Sequence, residues 1–235
     1  MPDRVIGILG GMGPEATSDL FREIIRLTPA RTDQDHIPVL IYSDTRIPDR
    51  TAAILQGGVD PSPYLVRSAK VLENAGAGIL AVPCNTAHYF FPALQRAVAI
   101  PVLNMILETL RELRKRMPAV RNIGLLASRG AVQSRIYHDA FAERGVRVMV
   151  PDDTGQESVS SAIRQVKAGI IGPRTRDSFM SVATGLVGAG AEAVILGCTE
   201  IPLALDERDV SFPCLNATRV LAQAAVDWAL RKNDE

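Results

Sequence analysis

Two cysteines in this chain stand where a thiol can do chemistry. Cys84 follows the apolar run ILAVP and precedes Asn-Thr-Ala-His; Cys198 follows AVILG and precedes Thr-Glu-Ile-Pro. Each run has the short, β-branched character of a buried parallel strand, and the small polar residues behind it suit a helix start. A thiol there sits at the carboxyl end of a strand, where open α/β sheets bind ligands. The N–H groups of the following turn favour its thiolate. Two thiols facing one cleft could take a proton from one face of a carbon and return one to the other. One would act as thiolate base and the other as thiol acid, with the roles exchanged for the mirror-image substrate. Racemisation or epimerisation is the natural product of that arrangement. Cysteine is ordinarily a small, inert core residue, and Cys214 reads that way. Cys84 and Cys198 differ from it because they stand among Asn, Thr and Glu rather than inside the apolar run.

The elements that must position these thiols come in duplicate. RVIGILGGMGP (4–14) returns as RNIGLLASRGA (121–131), GAGILAVPCNTAH (76–88) as GAEAVILGCTEIP (190–202), and IPVLN (100–104) as FPCLN (212–216), at offsets of 117, 114 and 112. Three segments in order at nearly constant spacing mark an internal repeat, and the repeat superposes Cys84 on Cys198. Strand-like runs at Val5–Leu9, Val39–Tyr42, Ile79–Val82, Val102–Leu103, Ile123–Leu126, Val146–Val150 and Ala193–Leu196 alternate with helical stripes. Those stripes include Ala16-Leu20-Ile24-Leu27, then Ile106-Leu110-Leu113-Met117 behind Asn104, then Val220-Ala224-Trp228 behind Asn216. The expected fold is α/β: two similar domains with parallel sheets flanked by helices, related by pseudo-two-fold symmetry, with the active site in the cleft between them. The division falls at 1–103 plus 214–235 for the first domain and 104–213 for the second. The helices after PVLN and PCLN are expected to cross onto the opposite domain.

Bulk properties narrow the function. The net charge is zero and aromatic residues are few, so neither a basic stripe nor a stacking platform for nucleic acid is present. No apolar run approaches the roughly 20 residues that span a bilayer, and Val5–Leu9 is too short for a signal peptide. A soluble, cytoplasmic protein without membrane contact is the expectation. Three widely spaced cysteines without a C-x-x-C pair suit neither a disulfide framework nor a zinc site. None of His36, His88 and His138 has metal-ligand company, so no metal is expected. His88, four residues past Cys84, could form a Cys–His pair but reads better as a capping or supporting group.

GILGGMGPEAT (7–17) has the look of a phosphate cradle. Gly11-x-Gly13-x-x-Ala16 formally fits a dinucleotide fingerprint, but Pro14 interrupts it and no acidic residue closes a strand about 20 positions later. No Gly-Lys-Ser/Thr follows, so a P-loop fails as well. The repeat partner LLASRGA has lost most of the glycines. They are therefore expected to be dispensable for the fold and to let the backbone at Met12 and Gly13 approach an anionic ligand. Pro14 suits a first helical position.

GILGGMGP, PCNTAH and GCTEIP resemble the signatures of the aspartate/glutamate racemase family, the cofactor-independent amino-acid racemases, over essentially the whole chain. The resemblance implies a cleft between two α/β domains, a two-cysteine mechanism without pyridoxal phosphate or other cofactor, an amino-acid substrate and a homodimer. It makes Cys84 and Cys198 the catalytic thiols. Glutamate racemases of cell-wall synthesis usually carry His after the second Cys-Thr; Glu200 stands there here, closer to the aspartate branch. Asn85, Thr86 and Thr199 are the candidate donors for the α-carboxylate, positions the resemblance supports, and the same residues can cap the turns behind the strands. Arg50 follows an N-cap-like Asp49, where a cation opposes the helix dipole, and the IPDRT stretch resembles the family's substrate-binding arginine. It is assigned to the distal carboxylate, which a guanidinium clamps bidentately. Lys167, near a helix end stopped by Gly169, resembles the family's second carboxylate contact. Met12, Gly13 and Glu200 complete the expected substrate-binding set. The rival readings are hydantoin racemase, maleate isomerase or arylmalonate decarboxylase on the same scaffold, and a nucleotide-binding module.

Overall fold

The computed structural model describes residues 4–231. Its strands form two parallel sheets. The first contains β1 (Ile6–Gly10), β2 (Val39–Ser43) and β3 (Ile79–Ala81) in the order β2-β1-β3, and a single parallel bridge from Leu80 to Val102 extends it. The second contains β4 (Asn122–Ala127), β5 (Arg147–Met149), β6 (Ala193–Gly197) and β7 (Cys214–Asn216) in the order β5-β4-β6-β7. Counting the Val102 bridge as a fourth rung, the two sheets have the same order, which is the sequence repeat expressed in space. β1 and β6 are buried along their whole length, as parallel strands covered on both faces must be.

Helices fill the connections: α1 (Pro14–Leu27), α2 (Arg50–Leu55), α3 (Ser62–Asn74), α4 (Phe91–Ala97), α5 (Met105–Arg116), α6 (Arg129–Gln133), α7 (Ile136–Ala142), α8 (Asp153–Lys167), α9 (Pro173–Gly188) and α10 (Ala217–Leu230). α1 begins with Pro14 at its first position. Asn104 and Asn216 are equivalent N-caps: each side chain accepts hydrogen bonds from two backbone N–H groups, those of Ile106 and Leu107 in α5 and those of Thr218 and Arg219 in α10. The two capped helices exchange partners. Ile106, Leu110 and Leu113 of α5 pack with Ile123, Leu125 and Ile195 of the second sheet. Leu221, Ala222 and Ala225 of α10 pack with Ile6, Ile8 and Ile79 of the first.

Two expectations need correction. The division drawn from the sequence puts residues 214–216 with the first domain, but β7 pairs with β6 of the second sheet, from Val194 opposite Cys214 to Leu196 opposite Asn216. The crossing therefore begins at α10. The strand precedes it and stays with its own half, as Val102 does. The glycines of the first loop are also needed for packing. A Cβ on Gly10 would lie 2.3 Å from Thr17 Cγ2, and Gly11 has φ +86° with the Asp44 backbone 2.4 Å from where its Cβ would be. Thr17 Oγ1 accepts from the Gly11 N–H and donates to the Gly13 carbonyl, both at 3.0 Å. The repeat partner carries Ala127 and Ser128 at the two glycine positions and Ser134 at that of Thr17. The Ser134 hydroxyl donates to the Ala131 carbonyl instead, so it does not press on the turn.

Asp44 organises the loop that leads to α2. Its carboxylate is fully buried and takes Arg46 at 2.8 Å and Arg67 at 2.9 Å. The Arg46 hydrogen bond, assisted by Arg67 and opposed by burial, holds its pKa at about 2. Because the folded pKa lies below the ordinary value, this stabilisation is complete above about pH 4 and is lost as the pH falls through about 2. Asp44→Asn should lower the melting temperature by roughly 2–4 °C at pH 7. The deficit should shrink toward zero between about pH 4 and pH 2, as followed by circular dichroism. A deficit that stays constant across that range contradicts the assignment.

Candidate active site

The carboxyl ends of the strands converge on one cleft. It is lined by Met12, Arg50, Cys84, Asn85, Thr86, Lys167, Cys198, Thr199 and Glu200, together with Asp49, Thr51 and Ser128. Every site residue expected from the sequence except Gly13 thus lines one wall or another. Gly13 lies beside them, because a Cβ built on it would approach Glu200 Oε1 to 3.7 Å. The remaining space is about 20 Å³, near what one ordered water needs. A larger surface groove, about 820 Å³ between α5 and α10, is rimmed by charged residues such as Glu108, Arg111 and Arg219 and contains neither of the two candidate thiols.

Each side chain is placed by a local cause. Asp49 caps α2 by accepting from the Ala52 N–H at 2.7 Å, so Arg50 opens the helix. The Arg50 side chain is buried against its own loop: Nη1 donates to the carbonyls of Ile47 and Pro48 at 3.3 and 3.1 Å. Cys84 and Cys198 follow β3 and β6 and are equally covered, at 7% and 8% exposure. The segments behind them are short 3-10 turns, Thr86–Phe90 and Ile201–Leu203. Lys167 is the last residue of α8 and reaches the cleft from its rim.

His88 supports the first thiol from behind. The Met105 N–H donates to its Nε2 at 3.0 Å, which makes Nδ1 the donor to the Cys84 carbonyl at 2.9 Å. Both nitrogens are therefore used by a neutral ring, and burial pushes its pKa down. The bond goes to the Cys84 backbone, so His88 ties the cysteine loop to the start of α5. The second half also grips this loop. Thr86 Oγ1 and Ser128 Oγ share a hydrogen bond of 2.7 Å, and the buried Tyr137 hydroxyl donates to Asn85 Oδ1. Sequence reasoning names neither Ser128 nor Tyr137. The repeat aligns Ser128 with Gly11 and so points to its place, whereas Tyr137 carries no sequence signal.

Three buried polar atoms in this cleft have no hydrogen-bond partner: Arg50 Nε, Asn85 Nδ2 and Glu200 Oε1. Such atoms are costly to bury, and here they make two donors and one acceptor among the residues that line the cleft. Asn85 presents Nδ2 because Tyr137 occupies its oxygen. Burial opposes the Lys167 charge, but Glu200, followed by the two thiols, outweighs it and raises the ammonium pKa. Burial and then Glu200 push the Cys198 thiol well up. Among the described residues, no group of three or more His, Cys, Asp or Glu could hold a metal ion, and no helix is long and apolar enough to cross a membrane.

Known proteins share both the sequence and this architecture. The chain is 28% identical to the broad specificity amino-acid racemase RacX of Bacillus subtilis, over 96% of this chain and 98% of that protein. The aspartate racemase of Picrophilus torridus superposes with a TM-score of 0.87 at 30% identity, covering 96% of this chain and 94% of the other. An aspartate racemase homologue from Pyrococcus horikoshii OT3 gives 0.78 at 28% identity, covering 97% of this chain and all of the other. Residues 9–225 match the family described as Asp/Glu/Hydantoin racemase. A cleft with one thiol from each repeat, set in this fold, agrees with that match: the chain is a racemase of the Asp/Glu/Hydantoin racemase family.

Proposed function

We propose that this enzyme racemises an acidic amino acid, with aspartate preferred over glutamate, by proton transfer between Cys84 and Cys198 without a cofactor. The observation that carries the reading is the trio of unpartnered atoms. Two donors suit carboxylate oxygens, and one acceptor suits an ammonium. An amino acid is therefore the complement of the cleft, and a guanidinium on one wall favours a second carboxylate.

The roles follow from position. One cysteine, as thiolate, takes the α-proton from one face; the other, as thiol, delivers a proton to the opposite face. The carbanion between these steps places charge on the α-carboxylate, which Asn85, Thr86 and Thr199 would stabilise with their side chains and turn N–H groups. Arg50 holds the distal carboxylate through Nε, and Lys167 adds positive charge at the rim. The backbone at Met12 and Gly13 forms the wall facing Glu200. The cleft leaves little room for water, and a substrate seated in it would shield the carbanion from solvent. By the same family reading, the working form is a cytoplasmic homodimer, with the domains divided at residue 104 and at the start of α10.

The broad specificity of the Bacillus subtilis relative offers a second reading, racemisation of many amino acids. Arg50 favours the narrower one. Chiral chromatography of mixtures incubated with L-aspartate, L-glutamate and L-alanine separates the two, and conversion should be fastest with aspartate. Preferential conversion of alanine contradicts the role of Arg50. Cys84→Ala and Cys198→Ala should each lower turnover in both directions by at least about 100-fold, and full two-way turnover in either variant contradicts the paired-thiol mechanism.

Arg50→Lys keeps the charge but removes the Nε–H that holds the carboxylate. Its KM for aspartate should rise about tenfold, the equivalent of roughly 1.4 kcal/mol, with a smaller change for alanine. An equal change for both substrates would assign Arg50 to the α-carboxylate or to structure.

A further inference from the structure

The two oxygens of Glu200 are in different situations. Oε2 accepts hydrogen bonds from Cys198 Sγ at 3.0 Å and from Thr199 Oγ1 at 3.3 Å. Oε1 is buried without a partner and lies 3.7 Å from where a Cβ on Gly13 would stand. The residue is only 4% exposed, so bulk water does not satisfy it. A thiol that donates to a carboxylate resists ionisation, because the thiolate would set two negative charges side by side. The other half lacks this device. Two residues past Cys84 the repeat has Thr86, which is engaged with Ser128. The two cysteines are equally buried, and the Glu200 carboxylate is bonded to Cys198.

We propose that Glu200 couples the arrival of the substrate ammonium to the ionisation of Cys198. Before substrate binds, Oε2 holds Cys198 as a thiol. When the ammonium docks on Oε1, it offsets the carboxylate charge, and the thiol can then give up its proton to solvent and serve as base. The other charged and titratable groups facing the pair are Lys167 from α8, Arg50 and Asp49 at the start of α2, the Cys84 thiol and the Tyr137 phenol. Lys167 already draws the thiol toward ionisation, and an ammonium on Oε1 adds to that pull. The ammonium half of this proposal rests on the amino-acid reading above; the grip of Glu200 on Cys198 does not.

Two measurements test it separately. Alkylation of the full chain with iodoacetamide at about pH 8, mapped by peptide mass spectrometry, reads Cys84, Cys198 and Cys214 individually. Glu200→Gln should speed the reaction of Cys198 at least about threefold, allowing for the lower nucleophilicity of a more acidic thiol, and leave Cys84 within about twofold. Glu200→Asp should restore the slower rate. No acceleration at Cys198, or equal acceleration at both thiols, overturns the proposal. The second measurement needs no variant. Calorimetry in buffers of different ionisation enthalpy counts protons released on binding, and racemisation adds no heat because enantiomers have equal enthalpy. Aspartate should release a fraction of a proton at about pH 8 and succinate, which lacks the ammonium, none. Equal release by both ligands overturns the coupling. If neither ligand binds, the acidic-substrate reading fails and the ammonium half with it, while alkylation still decides whether Glu200 governs Cys198.

Discussion

The paired-thiol chemistry proposed for this cleft depends on holding the loop after β3 against the second half of the molecule. Proton transfer across a carbon requires two groups fixed on opposite sides of it, and a misplacement of about an ångström is costly. Cys84 belongs to one sheet and Cys198 to the other, so no single element can set their relation. The Thr86–Ser128 and Asn85–Tyr137 hydrogen bonds do so directly, and His88 does so through the start of α5. α5 and α10 reinforce them by packing each half's last helix on the other half's core.

The repeat makes a nearly symmetric frame, and the departures from symmetry carry the electrostatics. Arg50 and Lys167 bring positive charge to the cleft, and Glu200 adds a buried carboxylate oxygen without a partner. Glu200 stands beside one thiol alone, and Thr86 takes its place beside the other. A racemase acting on two mirror-image substrates does not need identical thiols. The proposed mechanism needs one protonated while the other is not, in an order that reverses with the hand of the substrate, and the Glu200 charge biases which order the free enzyme holds.

Much of this was legible in the sequence because the controlling features are local or periodic. The strand runs, the order GILGG…PCN…GCTE and the helix caps depend on neighbours in the chain. Asp49, Asn104 and Asn216 all cap as their spacing indicates. What escaped depends on contacts between distant segments. Tyr137 lies 52 residues from the Asn85 it holds. The need for Gly10 and Gly11 comes from Thr17 and Asp44 pressing on them, which no comparison of GILGG with LLASR reveals. The place of β7 is hidden for the same reason. FPCLN leads into a helix that crosses to the other half, and only backbone pairing shows that the crossing starts one strand later.

The central claim is that the two thiols act from opposite faces of one carbon. The most direct test is the isotope carried by the first product formed in deuterated water. Starting from protiated L-aspartate, the earliest D-aspartate should carry deuterium at Cα, because the delivering thiol has exchanged with solvent, while the unreacted L-aspartate is still largely protiated. Early D-aspartate that retains the original proton would mean a single group returning what it took, and would contradict the account.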